Sequence, residues 1–206
     1  MQTETPQELM RLVQTGNEEA FSELVRRFKE PITAFALRML NDPQKALDVA
    51  QETFVNVYVH AQSYRPVASF QGWLYRIAHN LAINELRRRK REQAVSIDAP
   101  LDPGRPDGPR FEPPDAAPTA EESILGRERM EVVRRCVASL PAKYRSAIVM
   151  KDMQGLTFEE IAVILDCPES TVKSRVMRGR RMIRSRLEAI MSPTTPRRHP
   201  ARQEWS

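Results

Sequence analysis

A chain of 206 residues has room for one or two domains. Its net charge is +5, but the charge is uneven: residues 1–94 carry net +2, 95–122 net −5, 123–191 net +6 and 192–206 net +2. Two cysteines, Cys136 and Cys167, in no metal-ligand spacing exclude a disulfide framework. The N-terminus has no basic-then-apolar export pattern, and no apolar run approaches the roughly 18 residues of a membrane span. These features predict a soluble, cytoplasmic protein with no membrane insertion.

Taken in order, the segments read as helices. Asn17 caps a helix through Ala20, Phe21, Leu24, Val25 and Phe28, with Glu18 and Glu19 in its first turn. Pro31 is expected to kink or interrupt it before Phe35 to Leu40. Asp42–Pro43 starts a second helix, in which Leu47, Ala50, Phe54, Val57 and Tyr58 recur at helical spacing. Residues 62–69 form a loop around Pro66. A long helix follows from about Ser69 to Arg91, with Phe70, Leu74, Ile77 and Leu81 as its core stripe.

Residues 100–118 hold seven of the sixteen prolines and few apolar residues, so 95–122 is expected to be an extended acidic linker. Beyond it, Ile124 to Leu140 and Ala142 to Met153 read as helices separated by Pro141, followed by 157–166 and 168–190. The Pro- and Arg-rich tail 192–206, with Trp205, is expected to be disordered. No segment shows sustained strand alternation. The expected architecture is all-α: two small helical domains, 1–94 and 123–191, joined by the linker.

The segment from Leu156 to Arg184 carries the clearest function. Thr157 and Glu160 form a capping-box pair that starts one helix. Asp166 stands where the turn needs a left-handed residue, and Pro168 suits the first turn of the next helix. Val172, Val176 and Ile183 point to the core. Seven Lys or Arg and no acid lie between Lys173 and Arg186. Lys173, Ser174, Met177, Arg178 and Arg181 share one stripe. Such a stripe holds phosphates and touches base edges, as the second helix of a helix-turn-helix does in the major groove.

Two further constellations stand out. The helix over 70–91 presents Trp73, Arg76, Asn80 and Asn84 before a run of five basic residues, Arg87 to Arg91, and Tyr64 and Arg65 lie in the loop before it. A stacking aromatic, base-reading amides and cations suit melted or distorted DNA. Asp48 and Glu52, four apart with Gln51 beside them, form an acidic face with no third ligand at matching spacing. His60, His79 and His199 are scattered, and no Gly-rich loop cradles a phosphate. No metal, cofactor or catalytic residue is expected.

The runs NDPQKALDVAQETFVNVY, SFQGWLYRIAHNLAINELRRRKR and LTFEEIAVILDCPESTVKSRVMRGRR together resemble the bacterial extracytoplasmic-function sigma factors, in that family's order and spacing. The resemblance implies a dissociable, non-enzymatic subunit that binds core RNA polymerase and directs it to promoters. It implies that Asp48, Gln51 and Glu52 dock on the β′ clamp. Tyr64, Arg65, Trp73, Arg76, Asn80 and Asn84 would recognise and melt the −10 element. Lys173, Ser174, Met177 and Arg178 would read the −35 element, with Arg175 and Arg181 on phosphates and the β flap near this domain. It also implies control by an anti-sigma factor. Two alternatives remain on the residues alone: a free-standing helix-turn-helix regulator using residues 123–190, and a metal-dependent nucleic-acid enzyme using Asp48 and Glu52.

Overall fold

The computed structural model describes residues 4–65, 69–95 and 120–191. They form an all-α protein of two helical domains, with no strand among the described residues. Among them no helix is long and apolar enough to cross a membrane. The first domain holds α1 (Pro6–Gln14), α2 (Glu18–Leu40), α3 (Pro43–Val59), a 3-10 turn (Ala61–Ser63) and α4 (Phe70–Val95). The second holds α5 (Ala120–Ala138), α6 (Ala142–Ile148), a π-helical turn (Val149–Met153), α7 (Phe158–Leu165) and α8 (Glu169–Met191). The expected linker falls largely on residues 96–119, and the expected tail on 192–206, both outside the described residues.

Local chemistry sets the helix starts. Thr5 and Glu8 make a reciprocal capping box at α1, a helix the periodicity did not reveal. Asn17 Oδ1 accepts from the Ala20 amide at 2.8 Å, and Asp42 Oδ1 from the Lys45 amide at 3.0 Å. α2 ends at Asn41, left-handed at φ 52°. The chain thus reverses between α2 and α3 without a glycine, because Asn tolerates this region.

The structure corrects four expectations. First, of the two outcomes expected at Pro31, the interruption does not occur: α2 is one helix from Glu18 to Leu40. A proline there lacks the amide for the carbonyl four residues earlier and costs about 3 kcal/mol; burial of Ile32, Phe35, Ala36 and Met39 just beyond it offsets that cost. Second, Leu47 and Tyr58 are about half exposed rather than core. Third, the buried face of α4 is Phe70, Leu74, Tyr75, Ala78 and Ala82, with Ile77 and Leu81 at its margin. Fourth, the helix begun at Ala142 widens at Val149–Met153 into a π turn, a feature that often accompanies functional sites.

The first core gathers around α2, which packs on α1, α3 and α4. Phe35 meets Tyr75 edge to face, centroids 5.4 Å apart, and Phe28 meets Phe70 at 5.5 Å. The second domain packs α6 and α7 against α8 and closes around Leu140, Ile148, Met150, Ile161 and Val172. The two domains are in contact: α7 packs on α4, and α5, α6 and the π turn pack on α2.

Candidate nucleic-acid interface

The helix-turn-helix forms from the residues its sequence suggested. The Glu160 amide donates to Thr157 Oγ1 at 3.1 Å, and the Thr157 amide donates to Glu160 Oε2 at 2.9 Å, fixing the start of α7. Asp166 is left-handed at φ 46°, and the Cys167 amide returns to the Ala162 carbonyl at 3.1 Å. The Pro168 carbonyl accepts from Thr171 and Val172 and opens α8. Val172 and Val176 are buried, so the opposite face of α8 must point outward. With 23 residues α8 is about 35 Å long, well beyond the short helix needed for a groove.

On that outward face Lys173, Met177, Arg178 and Arg181 are exposed, and Ser174 and Arg175 are half-buried beside them. Lys173 pairs with Glu169 one turn earlier and stands 5.5 Å from the Phe158 ring centre. Lys151 approaches the same ring at 4.6 Å, so two cations share one aromatic ring. Arg180 turns away from the stripe and binds Asp152 of the π turn, Nε to Oδ2 at 3.0 Å. Sequence reasoning did not separate this bracing arginine from its neighbours. Hydrogen bonding to Arg178, with the charge of Lys143 nearby, lowers the pKa of Tyr144, which places a phenol at the edge of the stripe.

On α4, Arg76, Asn80, Asn84 and Arg87 are exposed along one line. Trp73 is half-buried and packs on Tyr64, centroids 5.0 Å apart, and on Phe70 at 6.1 Å. Tyr64 itself is buried with its hydroxyl unpartnered, and burial raises its pKa. Of the loop pair, Arg65 is the exposed member; its guanidinium donates to the Gln62 carbonyl at 2.9 Å. Tyr64, Arg65 and Trp73 are thus one cluster at the start of the α4 line.

The basic run at the end of α4 divides into two kinds of arginine. Arg88 binds Glu85 and Glu92, and Arg89 binds Glu85 and Asp42. Hydrogen bonds from Arg88, then Arg89, hold the Glu85 carboxyl down at about 2. Arg87, Lys90 and Arg91 instead line an open depression together with Asn84. A cationic trough beside an amide suits a phosphate backbone with bases at its edge.

Asp48, Gln51 and Glu52 are exposed on α3, opposite buried Ala46, Val49, Ala50 and Phe54. Asp48 is held by Lys45 at 3.4 Å and by Gln44 at 3.4 Å. Around them Leu47, Val55, Tyr58 and Val59 are 48, 55, 53 and 65% exposed. Exposed large apolar side chains beside exposed acids suit a protein-docking face with a polar rim. The four apolar residues were not legible as exposed, because helical spacing alone assigns them equally well to a core. They lie on the opposite side of α3 from its buried row.

Residues 24–92 match the model of Sigma-70 region 2, and residues 130–183 that of Sigma-70, region 4. The chain is 35% identical over 191 residues to the RNA polymerase sigma-H factor of Pseudomonas aeruginosa, covering 91% of this chain and 96% of that one. It is 33% identical over 178 residues to the ECF RNA polymerase sigma factor SigW of Bacillus subtilis, covering 86% and 94%. It is 34% identical to the ECF RNA polymerase sigma-E factor of Escherichia coli K12, covering 91% and 96%. Two solved structures share the fold. The sigma factor RpoE of Bartonella quintana, bound to the anti-sigma factor NepR, gives a TM-score of 0.65 at 23% identity over 82% of this chain and 96% of that one. CnrH bound to the cytosolic domain of CnrY gives 0.63 at 24% over 88% and 96%. With a third of its residues shared along nine-tenths of its length, and both regions matched in order, the chain belongs to the extracytoplasmic-function family of RNA polymerase sigma factors.

Proposed function

We propose that the protein binds core RNA polymerase, carries it to promoters, and helps open them, acting in the cytoplasm without catalysis of its own. The observation that carries this reading is the presence of two separate outward cationic faces, the α8 stripe and the α4 line, on a chain that also exposes acidic and apolar residues on α3. A duplex reader needs the first alone. Strand opening needs amides, cations and an aromatic together, which the second supplies.

In this reading Lys173, Ser174, Met177 and Arg178 read the −35 element, and Arg175 and Arg181 hold its phosphates. Arg65, Trp73, Arg76, Asn80 and Asn84 engage the −10 element. Tyr64 backs Trp73 through their ring contact. Arg87, Lys90 and Arg91 extend the grip along the backbone. Asp48, Gln51 and Glu52, with Leu47, Val55 and Tyr58, dock on the β′ clamp, and the second domain meets the β flap. An anti-sigma factor, such as the NepR bound to RpoE of Bartonella quintana, controls access to these faces.

Transcription in vitro tests the proposal. The purified chain, added to core polymerase on a library of random promoters, is expected to give transcripts from templates sharing two spaced elements. Tight, specific duplex binding without polymerase, and no stimulated transcription, would instead mark a free-standing regulator.

A further inference from the structure

One edge of the α8 stripe is built by a different helix. Pro141 opens α6, and its carbonyl accepts from the Tyr144 and Arg145 amides at 2.9 and 3.0 Å, which winds Lys143 and Tyr144 into the first turn. Tyr144 and Ile148 stand one turn apart and so share a face of α6. That face is turned to α8: Ile148 fills the space beside Gly179, and the Tyr144 carbonyl lies 3.6 Å from where a Cβ at 179 would stand. With no side chain between the helices at this point, the first turn of α6 lies directly beside Arg178, the residue before that glycine.

The Tyr144 ring is half-buried, so packing sets its position. Lys143 is exposed and reaches over the ring, with Nζ 5.0 Å from its centre. From α8 the exposed Arg178 approaches the phenol oxygen. The proximity of Arg178, and then the charge of Lys143, lowers the pKa of Tyr144. A guanidinium only donates, whereas a phenol oxygen also accepts. The polar contact therefore runs one way, from Arg178 to the Tyr144 oxygen.

An arginine alone on an open helix face samples many rotamers, and ordering it at a base pair opposes binding. Its planar fork meets two acceptors of one base only when the plane is correctly set. A fixed neighbour that holds one edge of the guanidinium meets both requirements before the encounter. Arg180 shows the contrasting case. A carboxylate, Asp152, holds it through Nε and draws it off the stripe. A phenol is a neutral acceptor, so Arg178 is held with its charge still available to DNA.

We propose that Tyr144 is a positioning residue for sequence reading: its phenol, packed on α6, sets the guanidinium plane of Arg178 and thereby the discrimination made at the base pair Arg178 contacts. The proposal rests on the assignment of the α8 stripe to the −35 element. It makes the reading surface a two-helix device, with the reader on α8 and its support on α6.

Holoenzyme assembled from the full chain and core polymerase tests this, by competition between promoters varied one pair at a time across the −35 element. Arg178→Ala locates the pair concerned. Tyr144→Phe keeps the packed ring and removes only the oxygen. It is expected to reduce discrimination at that pair by roughly three- to tenfold and to change the other pairs by less than about twofold. In the Arg178→Ala background the same substitution should have no further effect at that pair. A second readout needs no DNA: in the free chain the Tyr144 phenol, followed by NMR, should ionise at higher pH once Arg178 is alanine. Unchanged discrimination in Tyr144→Phe, or an equal loss on every sequence, overturns the proposal, even where the ionisation shift shows the contact to exist. If Arg178→Ala itself loses no discrimination at any pair, the −35 reading of α8 fails first and the positioning role falls with it.

Discussion

Gly179 and Ile148 meet where no side chain fits between α8 and α6: a Cβ at 179 would lie 2.6 Å from Ile148 Cγ1 and 3.1 Å from its Cδ1. That contact sets how closely the recognition helix sits on its support. Alanine in place of Gly179 gains about 1 kcal/mol in helix propensity, yet overpacking typically costs about 1–3 kcal/mol. Because the nearer clash is with an inner atom of the isoleucine, the loss is expected to win. Gly179→Ala should lower the melting temperature by several degrees and weaken −35 binding with it; an equal or higher melting temperature would show that Ile148 repacks freely.

Burial pulls the His79 imidazole down from 6.5 to about 4, with the nearby Asn80 side chain opposing and the Arg175 and Arg87 charges reinforcing. The folded state therefore prefers neutral His79, and the unfolded state binds a proton more readily. The contribution is complete above about pH 6.5 and is lost as pH falls toward 4, roughly 3 kcal/mol in all. The groups facing the ring are the Ser146 hydroxyl of α6, Arg175 of α8, and Asn80 and Arg87 of α4, none of which is an acid that would stabilise an imidazolium. Thermal melts between pH 7.5 and 4.5 should therefore fall more steeply for the natural protein than for His79→Gln. Superimposable profiles would refute the buried neutral histidine.

Arg178 is exposed at the centre of the α8 stripe. Arg178→Ala is expected to weaken binding to a −35 duplex by about 1–3 kcal/mol, with the loss concentrated at one base pair, as a bidentate base contact requires. Titrations on duplexes varied one pair at a time check this. A loss equal on every sequence would make Arg178 a phosphate contact.

On α3, Asp48→Ala with Glu52→Ala is expected to reduce core polymerase affinity at least tenfold while leaving the melting curve unchanged, since both carboxylates are exposed. Leu47→Ala should act in the same direction through lost apolar contact. Competition binding with labelled protein measures both. Unchanged affinity in the double variant would move the docking face elsewhere.

Much of the fold was legible because it is written locally. Asn17, Asp42 and the Thr157–Glu160 pair announce helix starts through one side chain and one amide, three residues apart. The left-handed turn at Asp166 follows from its residue type. Pro31 misled because its local cost is real, and only the apolar residues packed beyond it reverse the outcome. The second helix of the motif, its exposed stripe and its buried valines were readable from periodicity. The burial of Tyr64 was not, since an aromatic beside an arginine looks the same whether it faces DNA or a neighbouring ring. The domain contact was least legible: Tyr75, Ser146 and Gln154 are far apart in sequence and carry no spacing signal. α1 had its sign in Thr5 and Glu8, but only three buried residues to make a pattern.

Three arginines converge where α2 ends: Arg89 reaches the Leu40 carbonyl, Arg145 the Met39 carbonyl, and Arg134 the Asn41 side chain. Two of the three come from the second domain. Without the two cations from the second domain the last turn of α2 would keep one, Arg89, and should fray. The Asn41 amide, bonded to the Leu37 carbonyl at 2.8 Å, then becomes a natural reporter. Its hydrogen-exchange rate, read at a single backbone position, would measure how firmly the second domain holds the end of α2.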